Sequence, residues 1–184
     1  MKKVEIPLGD SPVASPCVPV FLISTINEKG INNIAPYGMV MPVSYQPLTY
    51  AVGSDKRRDT YQNIVDTGEF VLNVPSSALL EKVNLSAVKF PADIDEFEKT
   101  KLTPMKAFRV KPSLISECKS HFECKLVDIC EINKTRVVLI GEVMSVSINQ
   151  ELYLKNLVKQ KGQLDPLFYT HGVYFGLGRY IGKR

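Results

Sequence analysis

The sequence predicts a mainly β protein, an antiparallel barrel that is closed or half-closed, with helices inserted between its strands. About six β-type runs are spread over the chain, separated by helical segments and turns. The two longest runs, residues 122–132 and 135–148, are joined by only two residues, Asn133 and Lys134. A connection that short implies an antiparallel hairpin.

The strands follow in order along the chain. Residues 18–25 form a buried run, and Glu28–Gly30 reads as a turn to a partner strand that begins at Ile31. Residues 48–53 and 69–74 are further strands, the second with Phe70 and Leu72 on one side. Residues 137–140 are apolar on both faces, which predicts a central strand or one that a partner covers.

Three helices are predicted between or after these strands. Residues 59–67 form the first, in which Asp59 and Gln62 resemble a capping box and Gly68 ends the helix. A second begins at Ser77, and Asn149 caps the last. Residues 91–112 are a polar, broken excursion. The apolar stripes assigned to the three helices are Tyr61, Ile64 and Val65; Leu79, Leu80, Val83 and Ala87; and Leu154, Leu157 and Val158.

Length and charge exclude several classes of protein. The 184 residues fit a single domain, 1–184, and a net charge of +4 with interspersed signs is poor support for nucleic-acid binding. No apolar run is long enough for a signal core or a membrane span. We therefore expect a cytoplasmic protein without a membrane partner.

Cys118, His121 and Cys124 lie three residues apart and could resemble a set of metal ligands, but the strand periodicity argues against a metal site. In a strand, side chains alternate every two residues, so His121 points away from Cys124. These residues are predicted to belong to the core, and we assign no metal ligand.

A cluster of cations predicts an anion site. Ser54, Lys56, Arg57, Arg58 and Thr60 stand before and within the first turn of the predicted helix. Free backbone N–H groups, the helix dipole and guanidinium groups all favour a phosphate there. The alternative is a solvated, charged turn.

An apolar loop precedes this cluster. Residues 33–37 (NIAPY) and 41–44 (MPVS) offer small apolar surface for a flat ring and backbone groups in irregular geometry for its polar edge. The alternative is a structural connection at the edge of a sheet. Together, loop and cations match the needs of a flavin mononucleotide.

Successive blocks of the chain resemble the flavin reductase-like family. The blocks are residues 33–36, 41–44, 58–60, 63–64 and 68–75, followed more loosely by 97–102, 123–126, 141–143 and 165–167. Their order along nearly the whole chain makes the resemblance specific. It implies the FMN-binding split barrel, an antiparallel Greek-key β-barrel.

The resemblance also implies a site and an activity. Asn33, Ala35 and Pro36 would line the flavin ring with Ser44 nearby, and Ser54, Arg58 and Thr60 would hold the phosphate of a non-covalent FMN in a homodimer. The implied reaction is hydride transfer from NADH or NADPH to flavin N5, followed by reduction of flavin or ferric iron. There are two alternatives. One is an electron carrier like flavoredoxin that receives electrons from a redox protein, and the other is a non-catalytic flavin-binding protein. We assign no catalytic acid or nucleophile.

Some positions depart from the family pattern. Many relatives have Ser where this chain has Tyr37, and paired prolines where it has Gln46 and Pro47. His171 in the aromatic tail could approach the flavin or a nicotinamide, although a lone histidine is more often a structural donor. The tail glycines 172, 176, 178 and 182 mimic a dinucleotide fingerprint, but no strand–helix–strand unit accompanies them.

Overall fold

The fold is a strongly curved antiparallel sheet with short helices packed around it. It is seen in a computed structural model that describes residues 1, 3–153, 156–178 and 181. The strands are β1 (Val18–Pro19), β2 (Phe21–Ile26), β3 (Asn32–Tyr37), β4 (Val40–Tyr45), β5 (Leu48–Asp55), β6 (Glu69–Val74), β7 (Pro104–Met105), β8 (Leu114–Ile115), β9 (Ser120–Glu131), β10 (Arg136–Ile148), β11 (Phe168–Thr170) and β12 (Val173–Phe175). The α-helices are α1 (Ser11–Ala14), α2 (Asp59–Thr67), α3 (Leu80–Leu85), α4 (Glu96–Thr100) and α5 (Leu157–Leu164).

Seven strands form the main sheet in the order β3-β2-β6-β9-β10-β5-β4. The long β9–β10 hairpin is antiparallel, as predicted, and β10 is central because β5 lies on its other side. The predicted strand at 18–25 is divided. Its first part, β1, leaves the main sheet and pairs with β11 in a small sheet of order β1-β11-β12.

The predicted irregular loop is wrong: residues 33–37 and 41–44 lie in strands β3 and β4. These strands form the two edges of the main sheet, where proline is tolerated because one side of an edge strand needs no N–H donor. Pro36 pairs with Leu22, and Pro42 with Tyr50. The alternative interpretation, a connection at a sheet edge, describes the segment better.

The curvature brings the two ends of the sheet close together. The hydroxyl groups of Tyr37 on β3 and Ser54 on β5 are 3.0 Å apart, although the two strands do not pair. Leu22 and Ile23, neighbours on β2, enter different apolar clusters on the two faces of the sheet. The barrel is therefore split along one side but packed on both surfaces of its central strands.

Helix α2 has the predicted bounds, and Gly68 ends it in the left-handed conformation at φ 71°. The predicted capping box is wrong, because Arg58 occupies the N-cap and its side chain accepts no hydrogen bond from the first turn. The buried face is also shifted: Ile64 is buried as expected, but Val65 is 39% exposed while Thr60 and Asn63 are buried. The side chains of Thr60 and Asn63 turn inward because each donates a hydrogen bond to the sheet, Thr60 to Asn33 and Asn63 to Thr25.

The other two helices are shorter than predicted. The segment from Ser77 is a 3-10 turn (Ser77–Leu79) followed by α3, and Ala87 lies beyond it, exposed. Asn149 precedes only a 3-10 turn, whereas Asn156 caps α5 by accepting the N–H groups of Val158 and Lys159. Leu157 and Val158 are exposed rather than buried, and Leu154 lies outside the described residues.

Cys118, His121 and Cys124 are buried, as predicted, and within the described part of the chain no group of three His, Cys, Asp or Glu side chains is arranged to hold a metal ion. His121 Nδ1 lies 2.9 Å from Asn73 Oδ1, which links β9 to β6. Cys130, further along β9 near the hairpin end, is exposed. Among the described residues, no helix is both long and apolar enough to span a bilayer.

Candidate functional site

A cleft of about 250 Å³ opens where the two ends of the sheet approach each other. Its walls come from edge strand β3, the end of β5, the start of α2 and the segment after α3. The lining residues are Asn33, Ile34, Ala35, Pro36, Tyr37, Gly38, Met39, Gly53, Ser54, Asp55, Arg57, Arg58, Asp59, Thr60, Ser86, Ala87, Val88, Lys89, Phe90, Glu96 and Arg136. The cleft thus joins the predicted apolar segment to the predicted cation cluster.

One wall of the cleft is apolar and preformed. Ala35 and Pro36 are partly exposed on β3, which is held in place by its pairing with β2. Met39 continues this wall and is 61% exposed. Gly53 faces Met39 so closely that an added Cβ would lie 3.0 Å from the Met39 Cβ. This wall has the small, flat surface that a planar ring requires.

The three consecutive cations have different roles. Lys56 Nζ bonds Glu131 Oε1 at 2.6 Å, and it does not line the cleft. Arg57 makes a two-pronged contact with Asp55, at 2.9 Å from Nε and 2.6 Å from Nη2. The Arg57 hydrogen bonds hold the pKa of the Asp55 carboxyl well below its usual range.

Arg58 differs from its two neighbours. Its side chain is exposed, lines the cleft and forms no ion pair or hydrogen bond with any residue that the structure describes. It stands at the N-cap of α2, whose first turn has no side-chain cap. Its guanidinium group and the free N–H groups of that turn are therefore available to an anion.

The two predicted hydroxyl ligands already have partners within the chain. Thr60 Oγ1 donates to Asn33 Oδ1 at 2.9 Å, and Ser54 Oγ lies 3.0 Å from the Tyr37 hydroxyl. Desolvation raises the pKa of Tyr37, which stays a neutral phenol near pH 7. To donate to a phosphate, Thr60 would have to release Asn33.

Glu96 was missed in the sequence. Glu96 is 6% exposed and lines the cleft, and its carboxylate accepts the Ile34 N–H at 2.7 Å. Desolvation raises its pKa to about 7. The only local sign of this helix in the sequence is Asp95, which caps α4 by accepting the Phe97 N–H. Nothing in the sequence indicates that α4 packs against β3.

Two further predicted site residues lie away from the cleft in the single chain. Ser44, on β4, accepts the Gln46 N–H at 3.3 Å. His171 occupies the exposed β11–β12 turn in the left-handed region, at φ 45°. Of the predicted set, the cleft brings together Asn33, Ala35, Pro36, Tyr37, Ser54, Arg57, Arg58 and Thr60. Whether these residues bind a cofactor stays a prediction.

The sequence matches the flavin reductase like domain over residues 14–178, which is most of the chain. The chain belongs to this family. Membership supports a flavin-related oxidoreductase role in general. An uncharacterized protein of Methanothermobacter thermautotrophicus is 40% identical over 139 residues, which cover 74% of this chain and 66% of that protein. This chain therefore spans just under two thirds of that relative's length.

Two solved structures share the fold of this chain. Nitrilotriacetate monooxygenase component B from Bacillus cereus superposes with a TM-score of 0.91 over all of both chains at 22% identity. Flavoredoxin of Desulfovibrio vulgaris gives 0.83 over 98% of this chain and 97% of that chain at 23% identity. The antiparallel split barrel predicted from the sequence is confirmed.

Proposed function

We propose that this protein is an FMN-binding oxidoreductase that uses NADH or NADPH to reduce flavin or ferric iron. The observation that carries the proposal is the position of Arg58. A cation with no partner among the described residues stands at an uncapped helix start, in the same cleft as an apolar wall. This pairing of an anion site with a flat apolar surface fits a flavin phosphate.

The residues of the cleft imply one orientation of FMN, with its phosphate at the start of α2 and its ring along β3. Arg58 and the first turn of α2 would hold the phosphate, with Lys89 on the adjacent segment of the cleft wall. Ala35, Pro36 and Met39 would lie along the ring. When bound, FMN supplies the redox chemistry, since its ring accepts a hydride at N5 and passes electrons onward. The chain holds the ring, leaves one face accessible and supplies cations near the negative charge.

We propose FMN rather than FAD because a single phosphate group suffices to occupy the Arg58 side chain and the first turn of α2. Arg57 and Arg136 both pair with Asp55, so among the described residues Arg58 is the main side chain at the start of α2 that can donate hydrogen bonds to an anion.

We also propose a homodimer. On the outer face of the sheet, Ile140, Ala51 and Met41 are adjacent in register across β10, β5 and β4. Met41 is 61% exposed, and this row lies beside Met39 of the cleft wall. A cleft of about 250 Å³ is small for a flavin-sized ligand, so a second copy on this face would enlarge its apolar wall.

Purification followed by absorbance spectroscopy tests the proposal. We expect a yellow protein that releases FMN, not FAD, on denaturation. Anaerobic addition of NADH or NADPH should then bleach the flavin quickly. Bleaching only by a reduced redox protein would instead identify an electron carrier, and a colourless protein that takes up no FMN would overturn the proposal.

A further inference from the structure

The buried carboxyl of Glu96 separates the cleft from a second cavity. The second cavity measures about 200 Å³ and shares Asn33, Asp59 and Glu96 with the first. Glu96 Oε2 accepts the Ile34 N–H at 2.7 Å, and the neighbouring Asn33 side chain acts on the same carboxyl, lowering its pKa. Glu96 is therefore part of the wall on which the candidate anion site is built.

Asn33 connects Glu96 to the start of α2. Its Oδ1 accepts the Thr60 hydroxyl at 2.9 Å, and the Thr25 hydroxyl more distantly at 3.4 Å. Thr25 in turn accepts from Asn63 Nδ2 at 3.0 Å. The Asn33 side chain therefore lies between the Glu96 carboxyl, whose pKa it lowers, and the Thr60 hydroxyl that it accepts, and it couples the two.

The charges around Glu96 are mostly negative. Asp59 on α2 and Asp95, the N-cap of α4, both act on it, and both raise its pKa. The cations of the cleft are Arg58 and Lys89, with Arg57 and Arg136 engaged by Asp55. On neighbouring helix α3, Lys82 is paired with Glu117 and Glu81 is exposed.

We propose that Glu96 is a positioning residue of the anion site and that it takes up a proton when a phosphate group binds there. The inference rests on the proposed function, because the phosphate is that of FMN. A phosphate carries about −1.5 to −2 charges near pH 7. Placing it in the same cleft as Asp59 and Glu96 disfavours the ionised carboxyl, and the neutral acid still has a carbonyl oxygen for the Ile34 N–H.

The test is the dissociation constant of FMN between pH 6 and 8.5, with apoprotein and added flavin. Since the pKa of free Glu96 is about 7, wild-type affinity should fall as the pH rises above 7, by up to about tenfold per pH unit. Ionisation of the phosphate itself, with a second pKa near 6, changes affinity in the opposite direction and below this window. Riboflavin, which has no phosphate, should show no such fall.

Glu96→Gln should abolish the fall above pH 7, while Glu98→Gln should retain it. Glu98 is the matched control because it lies on the same helix, is exposed and does not line the cleft. Calorimetry of the wild type in two buffers with different ionisation enthalpies should show uptake of up to about one proton per FMN at pH 8. This measurement needs no variant, so it holds even if Glu96→Gln folds poorly.

The failures of the two proposals differ. FMN binding without proton uptake, or with the same pH profile in wild type and Glu96→Gln, would show that Glu96 only caps the edge of β3, and the proposed function would stand. A wild-type protein that binds no FMN at any pH would overturn both.

Discussion

At the scale of single residues, Arg58 is the predicted determinant of phosphate recognition. Arg58→Ala should weaken FMN binding by about 1.5–3 kcal/mol, the range for hydrogen bonds to charged groups. That is roughly ten- to a hundredfold in the dissociation constant. Riboflavin should bind the wild type and the variant almost equally, and equilibrium titration followed by flavin fluorescence measures both.

Arg57→Ala is the matched control for Arg58→Ala. It removes the same charge one residue earlier, but its guanidinium is held by Asp55, so the loss of FMN affinity should be smaller. Thr60→Ala should also cost less than Arg58→Ala, because a neutral hydroxyl makes a weaker bond. If Arg58→Ala lost riboflavin and FMN in equal proportion, Arg58 would be structural and the anion site would lie elsewhere.

His121 should make the protein sensitive to acid. Its side chain is buried at 3% exposure, and desolvation lowers its pKa from 6.5 to about 4. Between these values the unfolded chain binds a proton and the folded chain does not, so stability falls as the pH drops from 6.5 to 4. The loss should reach about 3 kcal/mol.

Urea unfolding at several pH values measures this effect. His121→Gln should lose less stability than the wild type over the same interval, whereas His171→Gln, at an exposed turn, should follow the wild type. Glu96 works in the opposite direction, since its raised pKa adds stability as the pH falls from 7 towards 4.5. Parallel pH curves for wild type and His121→Gln would contradict the prediction.

At the scale of elements, Gly141 on β10 makes room for the side chain of Phe70, which reaches it from β6 across the intervening strand β9. A Cβ at this position would lie 2.4 Å from Phe70 Cζ, and Phe70 is fully buried. Gly141→Ala should therefore destabilise the fold by about 1–3 kcal/mol through overpacking. Gly162→Ala, in α5 with nothing within 4 Å, should instead stabilise by about 0.5–1 kcal/mol. Chemical denaturation compares them, and a neutral Gly141→Ala would show that Phe70 can move.

At the scale of the whole molecule, the outer apolar row of β10, β5 and β4 predicts self-association. Met41→Glu places a charge on this row at a side chain that is 61% exposed in one chain, so folding should survive while the dimer dissociates. Val173→Glu, on exposed β12, is the control and should leave the dimer intact. Light scattering at micromolar concentration measures the mass, and a wild-type monomer with bound FMN would contradict the interface.

FMN should stabilise the wild-type dimer by mass action, because a ligand that binds only the folded state shifts unfolding to higher temperature. Met41→Glu should lose part of this shift if the partner contributes to the ring wall. A thermal shift by FMN that is equal in the two proteins would place the ring entirely within one chain.

The sequence by itself determined the antiparallel barrel, the β9–β10 hairpin, helix α2 with its glycine stop, and the segment of cations. These features depend on the alternation of apolar and polar residues, on the residues of the turns and on local charge, all of which act within a few residues. Strand pairing across the sheet decided the structure of the segment that the sequence predicted as a loop. It made residues 33–37 an edge strand, because proline is accepted there.

Only the tertiary structure decided which charges are free and which are buried. Arg57 and Lys56 find Asp55 and Glu131, so Arg58 alone of the three consecutive cations keeps an available side chain among the described residues. Glu96 is 62 residues from Ile34 in the chain, yet it accepts that N–H and is desolvated by the fold. Ion pairing and desolvation depend on neighbours distant in sequence, and no local pattern records them.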